Sequence, residues 1–371
     1  MYIKSLSLKD FRNYKNAFIL FSKNLNIIYG NNAQGKTNII EAIFLCASGR
    51  SHRTSKDIEM VSINKNEFNV SVELIKEEEN KSIEMKYETG KKKMIRINEI
   101  PVVRIGNLMG NLIAVIFSPE DIMIVKEGPA LRRRFIDISI SQLKPSYFYD
   151  LQQYNKILLQ RNTLLKEIQF NRSLIETLEI WDEKISETAA RIMKVRNSFL
   201  FELNQKAKDI HYKITNGCEE LDIKYNPSID KTDLSDAENI KNKLMAEFSK
   251  MRNAELKRCI TMVGPHRDDY DILLNGLNLK IYGSQGQQRT AVLSLKLAEI
   301  EIIKNIIGEN PVLLLDDVMS ELDLERREFL LENIKNIQTF ITCTEKDVFM
   351  NKKLDEALFI HVEDGNVKIE N

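Results

Sequence analysis

The octapeptide GNNAQGKT, which begins at Gly30, is the first segment whose residue types and spacing could do chemistry. It fills every fixed position of the pattern G-x-x-x-x-G-K-[ST], follows an apolar stretch typical of a strand and precedes an apolar-periodic stretch typical of a helix. The glycines let successive N–H groups point inward at a phosphate, and the helix N-terminus adds partial positive charge. A glycine loop with a chance lysine is the alternative. The residues expected to contact a nucleotide are Gly30, Asn31, Asn32, Ala33, Gln34, Gly35, Lys36 and Thr37.

Two of these residues have assigned roles. Lys36 is expected to reach the β- and γ-phosphates of ATP, and Thr37 is expected to hold Mg²⁺. A second metal ligand comes from the segment VLLLDD, about 280 residues later, where a buried aliphatic run ends in Asp316. The next residue, Asp317, is expected to orient and deprotonate the attacking water. A buried strand with a solvated acidic end is the alternative.

Three further segments resemble parts of ABC-type ATPases. The heptapeptide GSQGQQR begins at Gly283 and resembles the signature turn, in which a serine hydroxyl and nearby N–H groups bind the γ-phosphate held by a second subunit. An ordinary helix cap is the alternative for this segment alone. SELD, residues 320–323, resembles the loop that crosses the same dimer interface, and FSPED, residues 117–121, occupies the place of the glutamine loop. The resemblance assigns γ-phosphate contacts to Ser284, Gly286 and Gln287 and a catalytic role to Glu120.

Three further features of the sequence bear on nucleotide binding and hydrolysis. FRNY, residues 11–14, lies between two predicted strands, and Arg12 and Tyr14 could stack near the adenine or form a solvated turn. Cys343 stands where ABC-type ATPases carry the histidine that senses the γ-phosphate. Asp317 is one methylene shorter than the glutamate usual at its position, which predicts slow hydrolysis, a weak ATPase.

The elements that must position these residues fall into three zones. Residues 1–145 read mostly as short strands, with one helix after the phosphate loop. Residues 146–258 read as long, charged helices with an apolar seam spaced by 3.5 residues, from Leu174 to Phe199, and Ile240–Met251 as a returning partner. Residues from 259 onward are α/β again, with buried strands at PVLLLD and QTFITC and a hairpin at Asp364-Gly365. The sequence predicts a split head, 1–145 plus 259–371, interrupted by a helical arm, 146–258.

Composition excludes several classes of protein. Lys+Arg and Asp+Glu both number 54, so a uniformly basic nucleic-acid coat is excluded although local patches are not. The four cysteines and four histidines lack zinc-ligand spacing, and free thiols fit the cytoplasm. The N-terminus lacks a signal-peptide pattern, and no apolar run is long enough to span a membrane.

Together the motifs resemble the RecF family of SMC-like ATPases across essentially the whole chain. The matching segments are GNNAQGKTNIIEAI, GRSHRT, FSPEDIMIVKEGPALRRRFID, GPHRDD, GSQGQQRT and LLLDDVMSELD. The resemblance implies an α/β, ABC-type P-loop ATPase head interrupted by an α-helical arm, an antiparallel coiled-coil-like hairpin. It also implies ATP and Mg²⁺ as cofactors and an ATP-dependent homodimer that acts as a clamp on double-stranded DNA. Such a clamp would work on gapped or junction DNA at the nucleoid, with RecR as partner in the RecO and RecA pathway.

Basic residues could provide the DNA contacts, although each also has a plain structural explanation. Lysines in a hairpin turn are often only solvated, arginines on a helix can be a solvated face, and GPHRDD can be a structural turn with an Arg–Asp pair. The candidates are Arg50, Arg53, Lys91, Lys92, Lys93, Arg132, Arg133, Arg134 and Arg267. Phosphate contacts of this kind would be independent of DNA sequence and sensitive to salt.

Two other functions stay open at this stage. An ABC-type transport ATPase subunit would share the phosphate loop and signature turn, and a membrane-fraction assay separates it from a repair protein. A P-loop kinase for a small metabolite would have no use for the signature turn or SELD, and ATP-dependent dimerisation would disfavour it.

Overall fold

The computed structural model describes residues 1–344 and 357–370, which form two compact units. The split unit comprises Met1–Asp121 and Lys296–Asn371, and the inserted unit comprises Ile122–Leu295. The predicted functional division into a head (residues 1–145 plus 259–371) and an arm (146–258) rests on other grounds and stays a prediction.

The first sheet of the split unit is antiparallel and has one buried face. Its strands alternate buried and exposed residues, as in the pattern of Glu67–Lys76, which is the period expected of a half-buried sheet. The spatial order is β2-β1-β4-β5-β6-β7. The strands are β1 (Tyr2–Phe11), β2 (Tyr14–Leu20), β4 (Glu67–Lys76), β5 (Glu79–Glu88), β6 (Met94–Ile97) and β7 (Ile100–Pro101).

The second sheet of the split unit is mainly parallel and fully buried at its centre. The spatial order is β15-β14-β3-β13-β12-β8, with all neighbours parallel except the β14–β15 hairpin. Its strands are β3 (Leu25–Tyr29), β8 (Ala114–Phe117), β12 (Val312–Asp316), β13 (Thr339–Cys343), β14 (Leu358–Glu363) and β15 (Asn366–Glu370). Parallel strands end at the same edge of a sheet, so the residues that follow β3, β8, β12 and β13 come together. The predicted strands at PVLLLD and QTFITC are confirmed.

Local signals in the split unit also match the structure. Helix α1 (Lys36–Ser48) ends at Gly49, which adopts a φ of 73° as a left-handed C-cap. The predicted Asp-Gly hairpin is present, with φ values of 46° at Asp364 and 72° at Gly365, both in the region that such a turn requires. Helix α9 (Leu324–Asn333) follows the SELD segment.

The inserted unit contains helices and a small antiparallel sheet that the sequence analysis missed. The sheet order is β11-β10-β9, and β9 lies in the turn-rich break between the two predicted helices of the arm, where no strand was predicted. Its alternation in LDIKYN was hidden by the turn-rich segments on both sides. The strands are β9 (Leu221–Asn226), β10 (Asp269–Leu274) and β11 (Leu277–Asn278). The helices are α2 (Met123–Lys126), α3 (Pro129–Leu143), α4 (Pro145–Ile168), α5 (Leu178–Ile214), α6 (Ala237–Arg258) and α7 (Leu279–Tyr282), and α8 (Gln285–Ile307) begins in this unit and ends in the split unit.

The long helix α5 packs against two partners. Its predicted seam is mostly buried, and α6 contributes buried Ile240, Leu244 and Phe248 as expected. The sequence analysis did not identify α4 as a second partner. Ion pairs join Arg161 to Asp182 and Asp150 to Arg191, so positions rise along α5 as they fall along α4. This register makes α4 and α5 an antiparallel hairpin.

A buried ion network connects the three long helices. The Arg161 guanidinium is fully buried, and it donates to Asp182 Oδ1 at 2.8 Å and to Glu255 Oε2 at 2.6 Å. It also lies over the Phe248 ring, 4.5 Å from the centroid. Asp182 and Glu255 are buried too, so removal of the arginine would leave two carboxylates without their main cation.

We therefore expect Arg161→Met to lower the free energy of unfolding by about 3–5 kcal/mol, because it strands buried charges. Urea denaturation followed by the fluorescence of Trp181, the single tryptophan of the chain, would report this on α5 itself. Arg191→Met removes an ion pair that is 38% exposed on the arginine side and should cost no more than about 1 kcal/mol. Equal losses in the free energy of unfolding for the two variants would contradict the conclusion that burial makes the contacts of Arg161 costly to lose.

Candidate nucleotide site

The phosphate loop joins β3 to α1 in the split unit and depends on two glycines. Gly30 has a φ of 144°, and a Cβ there would collide with the carbonyl oxygen of Val362. Gly35 has a φ of 116°, and a Cβ there would lie 2.6 Å from the Asn13 side chain. Both the backbone conformation and the close neighbours exclude other residues. The strand, loop and helix context that the motif requires is present.

Residues from outside the loop hold its peptide groups. Asn13 Nδ2 donates to the Gln34 carbonyl at 2.7 Å, and the Tyr14 hydroxyl donates to the Gly35 carbonyl at 3.0 Å. The N–H of Gly365, in the β14–β15 turn, also donates to the Gln34 carbonyl. Tyr14 is buried, so the expectation that it stacks on adenine or lies in a solvated turn is wrong for this residue.

The Lys36 ammonium is already directed into the loop. Its Nζ donates to the carbonyls of Gly30 at 2.7 Å and Asn31 at 2.8 Å. Burial lowers the pKa of Lys36, and the nearby carboxylates of Asp317 and Asp316 oppose this effect. Phosphate oxygens are acceptors of the same kind as these carbonyls, so the position suits a phosphate ligand.

The predicted metal ligands meet across the parallel sheet. Thr37 Oγ1 donates to Asp316 Oδ1 at 2.9 Å, although the two residues are 279 positions apart. Thr342, at the end of β13, donates to the same oxygen at 2.7 Å. Burial raises the pKa of Asp316, and hydrogen bonds from Thr342 and Thr37 oppose the rise. Thr342 was not identified from the sequence, although its position beside Cys343 in a buried strand marks it in retrospect.

This pair of oxygen ligands fits Mg²⁺ in its usual form with ATP. Mg²⁺ takes hard oxygen donors and is commonly held by one or two protein ligands together with phosphate oxygens and water. Within residues 1–344 and 357–370, no group of three or more His, Cys, Asp and Glu side chains could hold a metal. A magnesium ion at Thr37 and Asp316 does not need such a group, and its charge would offset the cost of burying Asp316.

The predicted catalytic acids lie at the same edge of the sheet. Asp317 is exposed directly after β12 and adopts a φ of 52°, a strained backbone conformation for a non-glycine residue. Its N–H donates to Thr342 Oγ1 at 2.9 Å, and the Ser320 hydroxyl donates to its carbonyl at 2.8 Å. Glu120 is exposed in the turn after β8. Its negative charge raises the pKa of Asp316 further.

Cys343 ends β13 close to these groups. Its side chain is buried, and burial raises the pKa of the thiol to about 11, with Lys36 lowering it and Asp317 raising it further. The thiol is therefore neutral near pH 8 and is a poor substitute for an imidazole that accepts or donates protons.

Arg12 makes contacts that the sequence analysis did not predict. Its guanidinium forms two hydrogen bonds with the buried carboxylate of Glu41, at 2.8 and 2.6 Å, and a third with the Glu59 carbonyl. Burial alone would raise the pKa of Glu41, but hydrogen bonds from Arg12 and Ser51 bring it below its usual range. Because in-plane hydrogen bonds do not use the face of a guanidinium, adenine stacking by Arg12 stays a prediction. Glu41 was detectable as a charged residue within the apolar run NIIEAIFL.

The signature turn lies in the inserted unit and caps a helix. Gln287 N–H donates to Ser284 Oγ at 3.2 Å, and Ser284 N–H donates back to Gln287 Oε1 at 2.9 Å. This reciprocal pair is a capping box at the start of α8. The helix cap that the sequence left as an alternative is thus present, and a role in γ-phosphate binding stays a prediction. Ser284 and Gly286 are exposed.

The SELD segment also has a local structural role. Asp323 accepts a hydrogen bond from the N–H of Arg326 at 2.9 Å and so caps α9. Ser320 and Glu321 lie in the short helical turn that precedes it, directly after Asp317. The segment therefore continues from the edge of the sheet that carries Asp316 and Asp317.

Internal contacts use several of the basic residues predicted to bind DNA. Lys93 pairs with Asp57 at 2.6 Å with its side chain only 8% exposed, and Arg132 forms two hydrogen bonds with Asp269 at 2.7 Å. Arg133 donates to the Asp268 carbonyl at 2.7 Å. These internal contacts would compete with DNA for Lys93, Arg132 and Arg133, and DNA binding by these three residues stays a prediction.

The remaining basic candidates differ in exposure. Arg50, Lys91, Lys92 and Arg134 are exposed, and Lys91 pairs with Glu88 three residues away. Arg53 is 41% exposed and contacts Asn38 and Glu41. Arg267 donates to the Thr261 carbonyl within the inserted unit, which fits a structural turn.

The segment GPHRDD, which is partly buried, makes polar contacts with several other parts of the inserted unit. The Pro265 carbonyl accepts from Arg196 at 2.6 Å, and His266 Nδ1 lies 2.6 Å from the Tyr154 hydroxyl. The carboxylate of Asp268 accepts from Tyr225 at 2.5 Å. Burial lowers the pKa of His266 to about 4, so the imidazole is neutral at physiological pH.

Comparisons with known proteins place these features in a family. The model of the RecF/RecN/SMC N terminal domain matches residues 2–368. The DNA replication and repair protein RecF of Acetivibrio thermocellus is 64% identical over 98% of this chain and 99% of its own, and that of Ruminiclostridium cellulolyticum is 50% identical over 99% of each.

Solved structures give the same result for the fold. The recombination mediator protein RecF-ATP in the RecFOR pathway matches with a TM-score of 0.94 and 42% identity, covering 100% of this chain and 98% of that one. An Smc head domain from Pyrococcus furiosus matches with a TM-score of 0.55 and 17% identity, covering 100% and 96%. The expected class, an α/β ABC-type ATPase head interrupted by a helical arm, is confirmed. No described helix is long and apolar enough to cross a membrane.

The raised thiol pKa makes a direct prediction for Cys343. Only the thiolate is nucleophilic, and a pKa of about 11 leaves roughly 0.1% thiolate at pH 8. Alkylation by iodoacetamide at pH 8, followed by peptide mass spectrometry, should be much slower at Cys343 than at exposed Cys218. The Cys343 rate should still be rising steeply between pH 8 and 9. Equal rates for the two thiols would contradict the assigned environment.

Proposed function

Since the chain belongs to the RecF/RecN/SMC N terminal domain family, as its motifs predicted, we propose that it is an ATP-dependent DNA-repair protein of the RecF type. It binds ATP with Mg²⁺ at the phosphate loop and hydrolyses it slowly. Two ATP-loaded copies close on duplex DNA near single-strand gaps or junctions. With RecR, in the pathway that includes RecO, the closed form helps RecA to load.

The nucleotide part of the proposal rests on the edge of the parallel sheet. Lys36 would neutralise the β- and γ-phosphates, and Thr37 and Asp316 would hold Mg²⁺, which supplies charge neutralisation at the phosphates when bound. Asp317 would accept a proton from the attacking water, and Glu120 would help to position that water. Fixed hydrogen bonds to Thr342 keep Asp316 and the Asp317 backbone in place before nucleotide arrives.

The dimer part of the proposal rests on Gly286. At Gly30 and Gly35, positive φ values and close neighbours within the chain explain the glycines. At Gly286 neither applies, because φ is ordinary and a Cβ would meet only Ser284 Oγ at 4.0 Å. A glycine inside a helix costs about 0.5–1 kcal/mol relative to alanine. The exposed Gly286 is therefore best explained by close approach of a group from outside the chain, such as the γ-phosphate of a partner.

The DNA part of the proposal has narrower support. The chain has zero net charge, and Lys93, Arg132 and Arg133 make internal contacts, so one subunit presents only part of the predicted set of DNA-binding residues. The predicted residues that are exposed are Arg50, Arg53, Lys91, Lys92, Arg134 and Arg267. Apposition of two subunits would double this number, so DNA affinity should depend on ATP.

Light scattering with ATP, with and without duplex DNA, tests this function. Wild type should dimerise with ATP, Lys36→Ala should not, and Ser284→Arg should bind a fluorescent ATP analogue normally but stay monomeric. DNA affinity should rise with ATP only in the wild type and should fall with added salt. Asp236→Arg is the matched control, because it removes the N-cap of α6 and adds the same side chain away from the signature turn.

An ATP-loaded wild type that stays monomeric, or DNA binding that is equal with and without ATP, would refute the clamp. Both outcomes would leave nucleotide binding at the phosphate loop intact. The assay therefore separates the ATPase part of the proposal from the clamp part.

Gly286→Ala should separate stability from function. Alanine in the first turn of α8 should leave the free energy of unfolding unchanged or raise it by up to about 1 kcal/mol. Its methyl group should nevertheless obstruct the partner's phosphate and weaken ATP-dependent dimerisation by about tenfold or more. Thermal unfolding and light scattering would measure the two effects. A variant that is both more stable and fully competent to dimerise would remove the argument from Gly286.

A further inference from the structure

The side chain of Gln287 is held from a second direction, outside the capping box. Its Oε1 is occupied by the Ser284 N–H, which leaves the amide N–H groups to find another acceptor. Nε2 donates to Glu219 Oε1 at 2.8 Å. Glu219 lies in the loop after α5, so it is 68 positions away from the glutamine that it contacts. The two contacts together fix both ends of the Gln287 amide.

The second oxygen of Glu219 leads into the core of the inserted unit. Glu219 Oε2 lies 3.2 Å from Nε2 of His211, a fully buried residue near the end of α5. Nδ1 of His211 lies 3.0 Å from the Ser294 hydroxyl, which is buried two turns along α8 from Gln287. Glu219 thus bridges the first turn of α8 to α5, and His211 connects the same two helices further inside.

The loop that carries Glu219 is itself fixed on both sides. Gly217, with a φ of 79°, donates its N–H to the Tyr212 carbonyl at 2.8 Å. The N–H of Glu220 donates to Asn275 Oδ1 at 2.8 Å, and the Asn275 N–H donates to the Glu220 carbonyl at 2.8 Å. Because the backbone is anchored before and after it, Glu219 can hold Gln287 in position rather than follow it.

We propose that Glu219 is a positioning residue for the signature turn, which it locks to helix α5 through Gln287 and His211. The inference rests on the proposed function, in which the exposed Ser284 and Gly286 of this turn meet the γ-phosphate of a partner's ATP. Without Glu219 the Gln287 amide is free to rotate, the capping box opens part of the time, and the donors of the turn lose their fixed directions. Closure of the dimer then weakens, while loading of ATP onto the phosphate loop of the same subunit does not.

Substitutions at Glu219 and its neighbour test the proposal on the full-length protein. Glu219→Ala should reduce ATP-dependent dimerisation and kcat by about tenfold, the effect of losing one charge-assisted hydrogen bond. Affinity for a fluorescent ATP analogue and KM should not change. Glu219→Gln keeps an acceptor for the Gln287 amide and should recover most of the activity. Glu220→Ala is the matched control, since Glu220 is the adjacent acid and pairs with Lys208 rather than with Gln287; it should behave as wild type.

A double-mutant cycle identifies the route of the effect. If Glu219 acts through Gln287, adding Glu219→Ala to Gln287→Ala should cause little further loss. Additive losses, a wild-type kcat for Glu219→Ala, or a loss of ATP-analogue affinity in that variant would each overturn the proposal. These outcomes bear on Glu219 only if the wild-type protein dimerises with ATP in the same assay. A monomeric wild type would instead refute the proposed function itself.

Discussion

The carboxylate of Asp316, shared by Thr37 and Thr342, is the contact on which the candidate site depends. It brings together the start of α1, the end of β12 and the end of β13, which are supplied by chain segments about 280 residues apart. A buried carboxylate is costly unless hydrogen bonds or a cation satisfy it. The two threonines supply the hydrogen bonds, and Mg²⁺ fits as the cation. Both chain segments are therefore needed to satisfy the hydrogen bonds of this oxygen. The same contacts place Thr37 and Asp316 together, where they would hold Mg²⁺.

The glycines show how the phosphate loop differs from the signature turn, which are the two parts of the site proposed to form between subunits. In the phosphate loop the demands are internal, because Gly30 and Gly35 are required by backbone geometry and by Val362 and Asn13. In the signature turn the chain itself makes no such demand of Gly286. The subunit alone thus explains the glycines of the phosphate loop. Gly286 has no such internal explanation, and the proposed approach of a partner's γ-phosphate would supply one.

The sequence predicted the parts of this structure that depend on local signals. The phosphate loop, the buried strands ending in Asp316 and Cys343, the Asp-Gly hairpin and the apolar seam of α5 each have a short-range pattern. The contacts of Arg12 with Glu41, Lys93 with Asp57 and Glu219 with Gln287 have none, because their partners are 29, 36 and 68 positions away. For the same reason α4 was missed as the antiparallel partner of α5: its ion pairs with α5 depend on helix packing, which periodicity does not encode.

Long-range contacts also limit which basic residues are available for the DNA binding proposed for this chain. Some of the basic residues predicted to bind DNA instead make contacts within the inserted unit: Arg132 and Arg133 both contact the GPHRDD segment. Arg196 and Asp268 of the same region form a buried ion pair, which is expensive to break and so favours one rigid arrangement. A rigid inserted unit would transmit a small change at one end of α5 to the other. Under the proposed function, in which exposed basic residues bind DNA when two subunits are apposed, this rigidity would help to couple nucleotide binding to DNA binding.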